Sequence, residues 1–460
     1  MAVTATHSQY AAMSDDWQMM EDALAGPRTV KLNGVTYLPK TSGMIEAESL
    51  AGTDQSPLTK EDAEKLYRSY KERAEYPMWV KDSLRTMVGL VSRQEPEIAL
   101  PDKMSGIEEN ATADGFGLKE LFLRVVIANL TKGRKPLLGE FDEFGKPYIA
   151  TYTAETAINW RAESVNGRQD LILAVLKEQR LREGSDEFDP QYDDVYRVLD
   201  LFEGRYRVRL LKASGEQIGD DDFPGFTNKP LDFIPLVFAG STDNSVAVDE
   251  IPLLTMAQSA IKYYQLSADY YQSLHYCAHP QPVITGIKSD EDLRVTGPMA
   301  AWTLEDPQAD AKYLEFTGSG VEATRIAMQD ARNAAAEAGA KVLDTGSQES
   351  GDARIARQND QHSSLYSVCV TSAQAIEQVL QYIAIWVGAN PDDVVFKVEP
   401  KFSQTDIDAA MLTILHNIVM AGSAPREVLY DALRKMGFTE ESDEELDAKI
   451  EAGVMPQQVA

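Results

Sequence analysis

Two periods organise the apolar residues of this chain. From Ala63 through Leu66, Tyr67, Tyr70 and Ala74 they recur every three or four residues behind a Thr59/Asp62 capping pair, which predicts a helix that Pro77 ends. Leu84, Met87, Val88 and Val91 share one face of a second helix, Trp79 to Val91, and Leu118 to Leu130 predicts a third. Then the period falls to two. "KPLLGEFDEFGKPYIATYT" alternates about a turn at Gly145, and "INWRAESVNGRQDLILAVLKEQ" folds back at Asn166-Gly167, a strong hairpin signal. "VYRVLDLFEGRYRVRLLKA" turns at Glu203-Gly204, with Arg205, Arg207 and Arg209 alternating with Tyr206, Val208 and Leu210. Together these predict an antiparallel sheet with one solvated face, an acidic loop from Gly219 to Pro224, and a buried strand in "FIPLVFAG".

The helical period then returns. Leu254, Ala257, Ile261, Tyr264, Ala268 and Tyr271 line one side of a helix from about Pro252 to Tyr276. Val321, Thr324, Met328, Ala331, Ala335, Ala338 and Val342 line one from about Val321 to Leu343. Each would be roughly 35 Å long, and so regular a seam with so many alanines predicts close lengthwise packing of one helix on the other. Between them, "PVITGI", "MAAWTL" and "AKYLEF" predict short strands separated by acidic turns. A third long helix, Asp352 to Val387, carries Leu365, Cys369, Ser372, Ile376, Val379 and Ile383 on one side and stops at Gly388 and Pro391. A strand in "DVVFKVEPKF" follows. Ser403 opens a helix to Ala421, and Ser423 with Pro425 opens another to about Met436.

Three stretches lack either period. Residues 1–57 mix small and polar types and predict an arm, disordered alone or ordered against a neighbour. The tail from Thr439 is acidic and predicts mobility. "TGSQESGDARIARQND", from Thr345, has no large apolar side chain between Leu343 and Ile355. Such a tether cannot be buried; it faces water or a polar partner. Gly346 and Gly351 supply hinges, Ser347, Gln348, Glu349 and Ser350 supply polar contacts, and seven or so extended residues reach roughly 20 Å.

The formal charge of −29 predicts solubility and argues against tight phosphate binding by the whole surface. At roughly 150 residues per domain, 460 residues suggest about three domains or one elongated multi-part unit. Two cysteines, Cys277 and Cys369, make no disulfide framework and suit a reducing compartment. No signal peptide is expected from Met1–Tyr10, and the longest apolar run, Tyr382–Val387, is too short to span a bilayer.

Candidate chemistry is sparse. His275, Cys277 and His279 in "HYCAH" alternate, so on a strand they would share a side and could ligate a metal; Pro280 and Pro282 favour a plain helix-to-strand junction. Asp220, Asp221 and Asp222 could hold a divalent cation, but without a calcium-loop glycine pattern a solvated loop is the simpler reading. His362 and His416 sit in helical context without a nucleophile partner. Neither a GxxxxGK[ST] loop nor a GxSxG elbow is present. No cofactor is expected. The residues alone leave open a structural ring, another structural or adaptor protein, and a metal-dependent hydrolase.

The order of elements is more informative than any motif: helices, sheet, long helix, small β insert, alanine-rich helix, polar tether, very long helix, strand, terminal helices. That order resembles the portal proteins of tailed bacteriophages, in a branch known as a phage domain of unknown function. The stretches that carry it are "IPLVFAGSTDNSVAVDEIPLLTMAQSAIKYYQLSADYYQSLHYCAHPQPVITG", "GSQESGDARIARQND" and "VEPKFSQTDIDAAMLTILHNIVMAGSAPREVLYDAL", and it covers about residues 60–440.

The resemblance implies a non-enzymatic α+β portal fold. Residues 1–57 would be an N-terminal arm and 58–250 the wing; 251–276 and 321–344 would be paired stem helices. Residues 277–320 would form the clip and 345–351 the tunnel loop. The wing helix and strand would take 352–402, the crown 403–438, and an acidic tail 439–460. It implies that Gly346, Ser347, Gln348, Glu349, Ser350, Gly351, Arg354 and Arg357 meet double-stranded DNA, and that Asp290, Glu291, Asp292, Trp302, Glu305 and Asp306 dock adaptors. The implied partners are copies of the chain in a ring of twelve, terminase, head–tail adaptor and tail proteins, the major capsid protein and the scaffolding protein, with no membrane. The implied place is the capsid vertex of the virion, after assembly in the host cytoplasm.

Overall fold

The chain opens in helices, where its polar composition predicts an arm. Ser8–Ala25 is α1, Pro27–Leu32 is α2 and Ser42–Leu50 is α3. A few large anchors do what periodicity does not advertise. Trp17 and Met20 are fully buried, the Trp17 Nε1 donates to the Lys132 carbonyl at 2.9 Å, and Lys132 Nζ donates back to the Trp17 carbonyl at 2.8 Å. The computed structural model describes residues 2–53, 59–165, 168–182, 184–226, 229–278, 281–285, 310–314, 319–339 and 351–400, with isolated positions beyond. It divides into two units, residues 1–400 and 401–460.

Within the first unit, Thr59 and Asp62 form the expected reciprocal cap on α4, Lys60–Arg73. Helix α5 runs Trp79–Val91, the short strand β1 is Glu97–Ala99, and α6 is Leu118–Lys132. Gly133 ends α6 in the left-handed region (φ 69°), where a Cβ would lie 2.6 Å from the Asp249 carbonyl oxygen.

The alternating region makes two antiparallel sheets rather than one. Strands β2 (Arg134–Phe141), β3 (Pro147–Thr151), β4 (Ala157–Val165), β5 (Arg168–Leu181), β6 (Tyr192–Phe202), β7 (Arg205–Lys212) and β8 (Gln217–Asp222) follow in order. After the two-residue β9 (Gly225–Phe226) and β10 (Lys229–Pro230), β11 is Leu236–Gly240. One sheet is ordered β11-β2-β3 and the other β4-β5-β6-β7-β8. The split follows from residue type: β11 is buried along its whole length and pairs with β2, while the five-stranded sheet keeps polar edges. The turns at Gly145 and Glu203-Gly204 adopt positive φ; Asn166 and Gly167 lie outside the described residues.

Two readings of this region are corrected. Residues 219–222 belong to the edge strand β8, not to a loop, because Arg207 offsets the acidic run by donating to Asp221 Oδ2 at 2.9 Å. The arginine stripe of β7 is not simply solvated either. Arg207 donates twice to Asp200, both at 2.9 Å, and Arg209 once at 2.5 Å.

Beyond the sheets lie α7 (Leu254–Cys277), β12 (Gln281–Thr285), β13 (Asp310–Leu314), α8 (Ser319–Glu337), α9 (Gly351–Val387) and β14 (Val395–Lys397), which pairs with β1. Trp386 of α9 joins Leu138, Trp160, Leu176, Leu199, Tyr206 and Phe238 in one core cluster, so both sheets and α9 share it. Helix α9 approaches β2 so closely that a Cβ on Gly139 would sit 2.9 Å from Ile383. The fold class is α+β, as expected.

In the second unit, Tyr430 and Leu446 are buried and the Tyr430 hydroxyl donates to Asp447 at 2.5 Å. The expected helices of 403–438 fall largely outside the described residues, as does most of the acidic tail from Thr439.

Candidate functional site

The α7/α8 pair is built as its seams predict, except at the end of α8: the helix stops at Glu337, where the seam predicts it to run to about Leu343, and Ala338 and Gly339 turn, with the Gly339 amide donating to the Ala336 carbonyl. Ala257, Tyr264 and Ala268 on α7 and Ala335 on α8 are fully buried, with Met328 and Ala331 nearly so. Side chains set the direction of packing: Arg332 acts electrostatically on Tyr263, and Tyr270 on Arg325. Seven residues forward on one helix matches seven back on the other, so the helices run antiparallel. Beyond α7 the chain makes a two-stranded ribbon, Gln281 pairing with Leu314 and Thr285 with Asp310. The ribbon closes the stretch 286–309, and α8 leads back along α7.

The base of the pair is clamped by polar contacts. Tyr70 donates to Asp269 at 2.6 Å and Arg73 to Gln272 at 2.8 Å, the equal offset placing α4 parallel to α7. Ser267 Oγ accepts the Glu75 amide at 2.8 Å and donates to the Tyr264 carbonyl at 2.7 Å. Tyr271 donates to Glu75 at 3.0 Å, and burial together with that carboxylate pushes its phenol up to about 12. Among the described elements, α8 packs extensively against α7 alone, and Ile326 on its outer side is 50% exposed.

On α9, Leu365, Cys369, Ser372, Ile376, Val379 and Ile383 are all buried, as their spacing predicts. Burial pushes the Cys369 thiol up to about 12, so it is an inert core group. Asn129 ties this helix to the three-stranded sheet, donating to the Gly240 carbonyl at 2.9 Å and to Ser372 Oγ at 3.0 Å.

Gly351 is the first residue of α9, and Arg354 and Arg357 occupy its first two turns, where the description is of the backbone. Gly346, Ser347, Gln348, Glu349 and Ser350 lie outside the described residues, as do Asp290, Glu291, Asp292, Trp302, Glu305 and Asp306. The latter six fall in the stretch that the ribbon closes.

The metal readings lose their geometry. Helix α7 continues through Cys277, so His275 and Cys277 sit roughly 200° apart around it and do not share a side. His279 and His416 lie outside the described residues, and His362 lies on α9. Asp221 is engaged by Arg207 and by Gln217 at 2.8 Å. Among the described residues no group of three His, Cys, Asp or Glu side chains could hold a metal ion, and no helix is long and apolar enough to cross a membrane.

Several contacts that position this region carry no local sequence signal. Tyr70 reaches Asp269, and the Glu75 amide reaches Ser267, only because α4 and the residues just after it lie beside α7, 199 and 192 residues away in sequence. A helical pattern exposes the faces of both helices but not their partners.

Residues 252–387 match a family described as a domain of unknown function, DUF4055. The match begins just before α7 and ends on the last residue of α9. None of the curated proteins matches the chain. Among solved structures, a chain from the virion of a native gene transfer agent (GTA) particle is 16% identical, with a TM-score of 0.42, covering 91% of this chain and 100% of that one. A chain from the neck of a native GTA particle, computed with C12 symmetry, is 13% identical, with a TM-score of 0.41, covering 82% of this chain and 91% of that one. A chain from the neck of an empty GTA particle, computed with C6 symmetry, is 14% identical, with a TM-score of 0.41, covering 82% and 90%.

Proposed function

We propose that this chain is the subunit of a phage portal, a ring at the capsid vertex through which double-stranded DNA enters and leaves. The observation that carries the reading is the antiparallel α7/α8 pair: a two-stranded ribbon continues its far end, and the 37-residue α9 begins at Gly351, the last residue of the glycine- and serine-rich stretch 345–351. This reading rests on that arrangement together with the resemblance in element order. In a ring, the outer side of α8, including Ile326, meets the next subunit, and burial between copies stabilises the assembly. The stretch 277–320 docks head–tail adaptors and the separate terminase motor, and residues 345–351 face the channel.

The charge suits conduction. A net −29 repels phosphates and keeps DNA weakly held at every register, with Arg354 and Arg357 giving brief contacts. Screening confines these effects to roughly 8–10 Å at physiological salt. The ring itself performs no catalysis. Mass photometry of purified protein tests the assembly: the expected species has about twelve times the subunit mass of 50.9 kDa. A stable monomer at micromolar concentration would refute the reading. The alternative, a metal-dependent hydrolase, would draw on Asp220 to Asp222 or on His275 with His279; the portal reading is preferred because Asp221 is engaged by Arg207 and His275 and Cys277 diverge.

A further inference from the structure

Residues 2–7 lie along β4, an edge strand of the five-stranded sheet, and are held there at three points. The His7 amide donates to the Ile158 carbonyl at 2.9 Å, Asn159 Nδ2 donates to the Ala5 carbonyl at 2.9 Å, and Val3 packs on a cluster of Ile158, Val175, Tyr196 and Val198. This cluster is separate from the core that Trp386 joins. Beyond His7 the chain is anchored independently. Gln9 Oε1 accepts the Val248 amide at 3.3 Å, the Tyr10 hydroxyl donates to the Glu155 carbonyl at 3.1 Å, and Trp17 is buried. The segment before α1 can therefore leave the sheet while α1 stays in place.

His7 is where this segment meets charge. Its ring stacks on Trp160 with centroids 4.1 Å apart, and its Nδ1 accepts the Gln9 amide at 3.2 Å as the cap of α1. A neutral imidazole whose Nδ1 accepts carries its hydrogen on Nε2, so an incoming proton goes to Nδ1 and displaces the Gln9 N–H. The new cation would sit at the positive end of an 18-residue helix that has no acidic residue in its first turn. It would also meet Arg134 of β2, which is 1% exposed and already lies over the Trp160 ring at 4.0 Å. Arg134 Nε and Nη1 have no hydrogen-bond partner among the described residues. The opposing charge that acts on Arg134 is Asp249, whose Oδ2 accepts the Thr242 and Asp243 amides at 2.7 and 3.0 Å. Glu155 and Lys177 act on Tyr10, further along α1, while Arg134 is the charge that acts on His7.

We propose that residues 2–7 are an acid-released strap: proton uptake at His7 Nδ1 breaks the cap of α1, detaches the segment from β4 and bares the apolar face of Ile158, Val175, Tyr196 and Val198. Loss of the proton closes it again, since no covalent bond has changed. Burial and the Arg134 charge make the attached His7 a weaker base than the released one, so release grows by up to about tenfold per pH unit below 6.5, until the attached form titrates too. The device lies within one chain and operates whatever the assembly.

Electron paramagnetic resonance tests this, with a nitroxide label on Thr4→Cys in a Cys277→Ser background, read between about pH 7.5 and 5. A second labelled protein, Ala12→Cys on α1, reports whether the helix itself holds. Thr4 and Ala12 are both exposed, and the buried Cys369 stays unlabelled. The strap label should be immobile at the upper pH and mobile at the lower, the ratio of mobile to immobile signal rising at least about tenfold, with the α1 label unchanged. Adding His7→Asn, which keeps a capping acceptor, or His7→Phe, which keeps the stack, should abolish the change, because neither side chain titrates. A strap label that is mobile at both ends of the range, or immobile at both, overturns the proposal. So does acid loosening in either His7 variant, which assigns the response to another group. Loosening of both labels together also overturns it, since that is unfolding of α1 and not release of a strap.

Discussion

At the residue scale, Asp200 is the acceptor that makes β7 possible. Its carboxylate takes three hydrogen bonds from Arg207 and Arg209, all on side chains largely withdrawn from water. Asp200→Asn keeps the shape and removes the charge, so Arg209 loses its ion pair with this carboxylate. We expect a loss of about 2 kcal/mol, read as a lower urea midpoint with unchanged slope. His7 is the second case. It stacks on Trp160 at 4.1 Å, caps α1 by accepting the Gln9 amide at 3.2 Å, and lies near the Arg134 guanidinium, which is sandwiched between Trp160 and Phe238. Burial first, and the Arg134 charge second, hold its imidazole below the ordinary 6.5. A base with a depressed folded value contributes stability that is fully present above 6.5 and is lost as pH falls through the folded value. His7→Asn retains a capping acceptor and cannot titrate. Between about pH 7.5 and 5 the wild type should therefore lose more thermal stability than His7→Asn; equal losses would remove His7 from the account.

Among the elements, α7 packs against α1, α4, α5 and α8, and its polar clamp is its most sensitive point. Ser267→Ala leaves the Glu75 amide without its acceptor beside a buried helix, with an expected cost of about 1–3 kcal/mol by chemical denaturation. No measurable change would show that water replaces the hydroxyl. The helices α4 to α9 were legible in the sequence because each has a capping signal or an unbroken apolar face; the six positions chosen on α9 are all buried. Helix α1 was not, because its Trp17 is held by Lys132 of α6, a partner 115 residues away that a local pattern cannot show. Strand β8 reads as an acidic loop until Arg207 is placed beside it. Of the candidate site, the helix pair and the start of α9 were legible from seam spacing and the Gly/Ser stretch. The polar clamp of α7 was not, since its residues meet only through tertiary packing. Arg354→Ala and Arg357→Ala on α9 belong to this scale: each should lower DNA packaging while leaving assembly mass unchanged, and normal packaging by both variants would end their assigned role.

At the scale of the whole molecule, charge and surface decide the account. A chain at −29 is well protected from non-specific aggregation by self-repulsion, so copies that do associate must use specific apolar and paired contacts. In the proposed ring, the exposed Ile326 on α8 would be one such contact. The same acidity disfavours a tight grip on DNA, as the proposed conduit role would require. The most direct test is single-particle imaging of the purified assembly viewed end-on, with a gold label on a cysteine introduced by Ser347→Cys in a Cys277→Ser background. The account predicts a closed annulus with a central hole wide enough for a duplex and the label on its inner wall. Particles without a hole, or with the label on the outer rim, would contradict it.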